Sequence, residues 1–148
     1  MIEPFSDEYF MRRALEQAKI AFDRGEIPVG CIIVCNNQIV ASAHNYTQTL
    51  NDVTAHAEMQ AITAAANMLG GKYLTNCVMY VTLEPCAMCA SALGWSQISK
   101  IVYGATDAKK GYQIYAPKVL HPKTEIVTGV LQYESEQILK LFFASKRN

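Results

Sequence analysis

The chain opens on a helical stripe. Phe10, Ala14, Ala18 and Phe22 recur at every fourth position, the spacing of one helix face. Ser6 and Asp7 ahead of it are N-cap residues, Asp7 and Glu8 suit the positive end of a helix, and Gly25 supplies the stop. The period then changes. From Pro28 to Cys35 the run Val29-Gly30-Cys31-Ile32-Ile33-Val34-Cys35 is continuously apolar, as in a buried strand. Asn36-Asn37 is a turn, and Gln38 to Ala43 reads as the returning strand of a hairpin. Helical pattern resumes from about Ala55 to Leu69, rich in small alanines that let it lie close to a sheet. Thr54 or Asp52 is its cap and Gly70-Gly71 its end. Val78 to Leu83 predicts a third strand, Cys86 to about Trp95 a helix, Ile101 to Tyr103 a fourth strand and Glu125 to Thr128 a short fifth. Ile138, Leu141 and Phe142 form the apolar face of a last helix, which ends in Lys146-Arg147. Strands alternating with helices imply an α/β sheet covered on both faces.

Composition narrows this picture more than it extends it. At 148 residues, 51% of them apolar, the chain reads as one domain over 1–148 with a substantial core. Thirteen basic and thirteen acidic residues cancel, so there is no global attraction to nucleic acid or to a membrane surface. Lys109 to Lys123 is the local exception. It contains four lysines and no acid, with Tyr112 and Tyr115 interleaved. A solvated loop accounts for such a run, and so does a surface that meets phosphates and stacks on bases. Five cysteines make no paired disulfide framework. Cys31 and Cys35, four apart on one strand at roughly 3.3 Å per residue, are too distant to bond each other, and Cys77 reads as structural. With no signal-peptide pattern and no membrane-spanning run, the expected compartment is a reducing cytoplasm.

The chemistry concentrates in Thr82-Leu83-Glu84-Pro85-Cys86-Ala87-Met88-Cys89, read with His56-Ala57-Glu58. Pro85 suits the first helical position, which predicts Cys86 and Cys89 on one face of a first helical turn. The positive helix end there favours thiolates. Two thiolates and His56 are three ligands for zinc, and three protein ligands leave the fourth position of a tetrahedral ion for water, the arrangement of a catalytic site. Glu58 is placed to serve that water. A Cys-x-x-Cys alone would read as a redox pair or half a zinc knuckle, but no second pair exists to complete four thiolates. On an ideal helix His56 and Glu58 are about 200° apart, so both can address a metal only beyond the end of the helix's first turn.

The pattern H-x-E followed by P-C-x-x-C is the established signature of zinc deaminases, so the match is recognition and not derivation. The sequence resembles the cytidine deaminase-like superfamily, and within it the bacterial tRNA adenosine deaminases that form inosine at the wobble position. The resemblance runs from about Phe10 to about Arg147. It is carried by Glu26-Ile27-Pro28-Val29-Gly30, His44-Asn45, Thr54 to Glu58, Val81 to Cys89 and Gly104 to Lys109. It implies a three-layer α/β/α fold with a central mixed sheet of about five strands, Zn2+ as cofactor, Glu58 as the catalytic proton carrier, a tRNA anticodon arm as substrate and a homodimer. It also implies substrate contacts from Asn45 to the target base and from Asp107 to the ribose-phosphate chain, to which the Ala57 backbone N–H can add another. Asn45 is equally a turn residue by type, and His44 reads as a loop or surface histidine. Two departures keep a free base or nucleoside such as guanine or cytosine open as the alternative substrate. Trp95 stands where many of the tRNA enzymes carry histidine and resembles the guanine-deaminase branch, which would give it a smaller, closed pocket to shape. Gly111 to Ala116 also differ from the usual small-residue loop. A non-enzymatic zinc-binding module is the weakest reading, because an open position beside Glu58 has no structural use.

Overall fold

The structure, a computed structural model, describes residues 2–146; Arg147 of the expected basic end lies outside them. The elements run α1 (Asp7–Asp23), β1 (Gly30–Cys35), β2 (Gln38–His44), α2 (Ala57–Leu69), β3 (Cys77–Leu83), α3 (Ala87–Ser96), β4 (Lys100–Ala105), α4 (Tyr112–Tyr115), β5 (Glu125–Thr128) and α5 (Gln132–Lys146). One five-stranded sheet has the order β2-β1-β3-β4-β5. β1 is antiparallel to both β2 and β3, whereas β3, β4 and β5 are parallel. The sheet is therefore mixed, as expected.

The continuous apolar run of β1 divides by side-chain parity, since successive residues of a strand point to opposite faces. Cys31 and Ile33 join a core with Met79, Val81, Ile101 and Tyr103, covered by Ala57, Ala61 and Ala65 of α2 and by Ala90 and Leu93 of α3. Ile32 and Val34 join a second core with Tyr80 and Val102 beneath Phe10, Met11 and Ala14 of α1. α5 packs on this second face against β4 and α1, and Phe22 meets Phe142 edge-on with ring centroids 5.9 Å apart. These are the three α/β/α layers.

Local signals account for most boundaries. Ser6 caps α1 by accepting the Tyr9 N–H at 3.1 Å. Asn36 and Asn37 both take positive φ, 53° and 61°, in the two-residue hairpin loop, a conformation asparagine tolerates well. Gly30 lies so close under α1 that a Cβ would run into the Ala14 carbonyl and the Ala18 amide; packing explains this glycine without a ligand.

Four expectations need correction. α2 begins at Ala57 with His56 at the N-cap, while Asp52 instead accepts the Thr54 N–H and hydroxyl in the turn before it. Pro85 sits two residues before the first residue of α3, with Cys86 between them at the N-cap. The Lys109–Lys123 run is not wholly a loop: it contains α4, and Tyr112 is buried while Tyr115 is exposed. Leu141 does not belong to the buried face of α5, which buries Ser135 and Phe142 instead.

Candidate metal and proton-transfer site

The site lies at the carboxyl ends of β3 and β4, where the N-termini of α2 and α3 converge. His56 and Cys86 have extended backbones as N-cap residues, so their side chains swing out ahead of their helices. Cys89 is on the first turn of α3 and points to the same place. His56 Nδ1 is 3.6 Å from Cys86 Sγ and 3.5 Å from Cys89 Sγ, and the three ligand atoms all lie within 4.8 Å of one another. A tetrahedral zinc, with Zn–N about 2.0 Å and Zn–S about 2.3 Å, would space a nitrogen and a sulfur ligand by about 3.6 Å. The donor set and its spacing fit that ion. The N-cap geometry also resolves the angular problem of His56 and Glu58: His56 is not on the helix, so both reach the same volume.

The protonation pattern is that of a site built for a cation. The hydrogen bond with Cys89 and, after it, the hydrogen bond and charge of His56 together lower the Cys86 thiol to about 4 against the opposing effect of burial. Cys86 in turn raises His56, and Cys86 and burial together raise Cys89. One thiolate thus holds two protonated neighbours, whose protons a divalent cation displaces. Glu58 is fully enclosed. Burial pushes its carboxyl up to about 7, opposed by its own backbone N–H and by His56, which brings it close to the range useful for proton transfer. Cys31, on the strand beneath, is raised well above the ordinary thiol value by burial and by the Glu58 charge. It remains a buried thiol, as expected.

A cavity of about 260 Å³ opens onto this group and is lined among others by Asn45, His56, Ala57, Glu58, Cys86, Asp107 and Lys110. Small beside typical ligand pockets of about 300–1,000 Å³, it suits a single heterocycle and not a polynucleotide. Of the candidate site residues, Asn45, His56, Ala57, Glu58, Cys86 and Asp107 therefore meet at one cavity, and Cys89 lies buried beside His56 and Cys86. Asn45 is buried at the cavity, and its Oδ1 accepts the Thr47 N–H at 3.4 Å, which is the turn its type suggested. Asp107 Oδ1 accepts the Lys109 and Lys110 N–H groups at 3.0 and 2.9 Å, fixing a turn at the cavity mouth. His44 is not a surface residue. It is 4% exposed, stacks on Tyr46 at 4.2 Å and meets Arg24. Trp95 is 83% exposed near the far end of α3 and lines no part of this cavity, so it cannot shape a smaller pocket within its own chain.

Two glutamates within the quoted motifs have a role that the sequence did not assign. Glu26, wholly buried, accepts the Gln48 N–H at 3.0 Å and the Thr49 N–H and hydroxyl at 2.7 and 2.6 Å. Burial works to raise its carboxyl, but these bonds outweigh it and hold it below its ordinary value. Glu84, also buried, accepts the Asp107 and Gln113 N–H groups. No local signal marks either of them, because the amides that hold them lie 22 to 29 residues away in the chain.

Comparison with known proteins agrees with this chemistry. Residues 4–105 match the cytidine and deoxycytidylate deaminase zinc-binding region. A tRNA-specific adenosine deaminase of Aquifex aeolicus is 44% identical over 145 residues, covering 95% of this chain and 96% of the relative. One of Bacillus subtilis is 40% identical, covering 95% and 91%. A structure solved in work on A-to-I editing by tRNA:A34 deaminases at the wobble position of transfer RNA superposes with a TM-score of 0.83 at 39% identity, covering 88% of this chain and 99% of the other. A guanine deaminase structure from Bacillus subtilis is 39% identical but covers 67% and 64%, with a TM-score of 0.64. The chain belongs to the cytidine deaminase-like zinc deaminases and, among them, to the tRNA-specific adenosine deaminase family.

Proposed function

We propose that residues 1–148 act as a single zinc-dependent domain that hydrolytically deaminates adenosine to inosine at the wobble position of a tRNA, bound through its anticodon arm. The observation that carries the chemistry is the juxtaposition of the His56, Cys86 and Cys89 ligand atoms with a buried Glu58 at one small cavity. A zinc ion held by that triad supplies Lewis-acid activation of water. The remaining steps fall to the chain. Glu58 takes a proton from the attacking water and delivers it to the ring nitrogen beside the amino-bearing carbon; it then takes the second proton from the hydroxyl now on that carbon and delivers it to the amino group, which leaves as ammonia as the C–N bond breaks and the carbonyl forms. It can do all of this because its carboxylate faces one small volume throughout. Asn45 holds the edge of the purine, and the Ala57 N–H, at the free amino end of α2, adds a second contact. Asp107 meets the ribose-phosphate chain beside the target.

The substrate reading rests on the relatives' full-length similarity and on the size of the cavity, which admits one base turned out of its stack. An anticodon-loop nucleotide is already partly unstacked, so extrusion costs only a few kcal/mol or less. Lys109 and Lys110 are exposed beside the rim, where they can meet phosphates. A homodimer accords with large apolar residues left exposed around α2 and α3, among them Val53, Met68 and Trp95. Among the described residues no helix is long and apolar enough to cross a membrane; the proposed tRNA substrate is what would place the reaction in the cytoplasm.

The similarity to a guanine deaminase supports a free base as the second reading. Both are tested by incubating zinc-loaded protein separately with an anticodon stem-loop carrying a wobble adenosine, guanine, cytosine and adenosine, and measuring ammonia and inosine. Inosine in the stem-loop is the expected result. Brisk release of ammonia from guanine or cytosine with an untouched stem-loop would overturn the tRNA reading.

A further inference from the structure

The proposed reaction uses Glu58 and leaves the second carboxylate of the cavity without a task. Glu84 is 3% exposed and stands two residues before Cys86. No salt bridge among the described residues involves it. Its charge is met by backbone instead: Oε1 accepts the Asp107 N–H at 3.0 Å and Oε2 the Gln113 N–H at 3.2 Å. Both oxygens are thus committed as acceptors of the 107–113 backbone.

The carboxylate reaches these amides through a gap kept open by Gly111. A Cβ at that position would collide with Glu84 Oε2 and with the Asp107 carbonyl. Backbone links run alongside: the Glu84 N–H donates to Ala105 O at 2.8 Å, the Tyr112 N–H donates to Pro85 O at 2.9 Å, and Cys86 pairs with Gly111 in an isolated bridge. On the outer side, Thr106 and Ala108 to Lys110 are exposed, and Asp107 holds their turn through its own carboxylate. The hydrogen-bond chain therefore runs from the residue beside a metal ligand to the Asp107 amide, and from the Asp107 side chain to the Lys109 and Lys110 amides.

We infer that Glu84 is the positioning residue of the nucleotide rim: its buried carboxylate fixes the 107–113 loop against the metal-ligand turn at Pro85-Cys86, and so sets where Asp107 and Lys110 meet the ribose-phosphate chain of the substrate. The substrate in this inference rests on the function proposed above. The tether itself does not.

The test uses zinc-loaded full-length protein with Glu84→Gln, which keeps the size of the side chain but turns an amide NH2 toward one of the two N–H donors. Amide hydrogen exchange across 107–113 should quicken about tenfold or more, with zinc content and exchange in α2 and α3 unchanged. KM for the stem-loop should rise about tenfold while kcat at saturation stays within about threefold, the signature of lost positioning of a bound group. Gly111→Ala, which pushes the carboxylate away from the other side, should give the same pair of changes and carries the test if Glu84→Gln does not fold. Unchanged exchange in 107–113 would overturn the tether. Faster exchange with an unchanged KM, or a fall in kcat alone, would overturn the positioning role. A wild-type protein that binds no stem-loop would overturn the substrate reading and the rim's role with it, while the exchange result still decides the tether.

Discussion

The metal wall of the cavity is made of side chains held at the N-termini of α2 and α3, whereas its rim is made of loops at 45–49 and 107–113 whose backbones are fastened to buried glutamates. On the wall, the His56 nitrogen stands 3.5–3.6 Å from the Cys86 and Cys89 sulfurs, and Glu58 is left with few partners and a raised affinity for protons. On the rim, Glu26 and Glu84 are saturated by amides. Carboxylates of the same type thus do opposite work. One is poorly satisfied and available for chemistry; the others are well satisfied and act as anchors. What separates them is the number of N–H groups aimed at each.

The largest effects should come from breaking the wall. Purified protein should carry about one zinc per chain, and Cys86→Ala should lose both metal and turnover, since no substitute thiolate lies within reach of the triad. Elemental analysis checks this; full zinc retention in both Cys86→Ala and Cys89→Ala would discard the site assignment. Next comes Glu58→Ala. It should retain zinc and fold, yet lose turnover by about 10²–10⁴-fold or more, because one group serves every proton transfer. Single-turnover kinetics that stay within a few-fold of wild type would remove Glu58 from that role.

Breaking a rim anchor should cost stability and binding before chemistry. Glu26→Gln should lower the Tm at pH 7 by several degrees, about 3–8 °C, through loss of a charged acceptor for three donors. The pH dependence has a definite sense. The Glu26 carboxyl lies below its ordinary value of 4.5 in the folded protein, so its stabilisation is fully present above that value and is lost as pH falls through the folded one. The difference in Tm between wild type and Glu26→Gln should shrink as pH drops below about 4.5. A constant difference down to pH 3 would show that the charge contributes nothing. The smallest effect concerns the exposed cations. Lys109→Ala with Lys110→Ala should flatten the dependence of log affinity for the stem-loop on log salt, by about 0.7 for each phosphate no longer neutralised. An unchanged slope would place the phosphates elsewhere on the surface.

The elements that pattern predicted well are those in which one local rule dominates. The hairpin at Asn36-Asn37, the buried strand over the apolar Cys31–Val34 run and the Gly70 end of α2 each follow from backbone preference or from a continuous apolar run. The metal ligands were legible for a different reason: His56, Cys86 and Cys89 are chemically rare types at a recognisable spacing, so identity and order suffice. Their geometry was not. The expectation that Pro85 opens the helix put Cys86 inside it, and only the fold showed both Cys86 and His56 at N-cap positions with extended backbones, which is what lets three ligands from two helices converge.

Tertiary structure alone decided the fates of residues whose type is ambiguous. His44 is buried because Tyr46 and Arg24 cover it, and Trp95 is exposed because α3 carries it away from the cavity. Leu141 lies outside the core although its spacing matches the apolar stripe, since α5 meets the sheet along the line of Ser135 and Phe142. Glu26 and Glu84 are the clearest cases. Nothing local distinguishes them from solvated acids, because their partners are backbone amides 22 to 29 residues away. Backbone amides carry no sequence identity. A side chain that is held by them can be named only after the chain has folded and brought the two together.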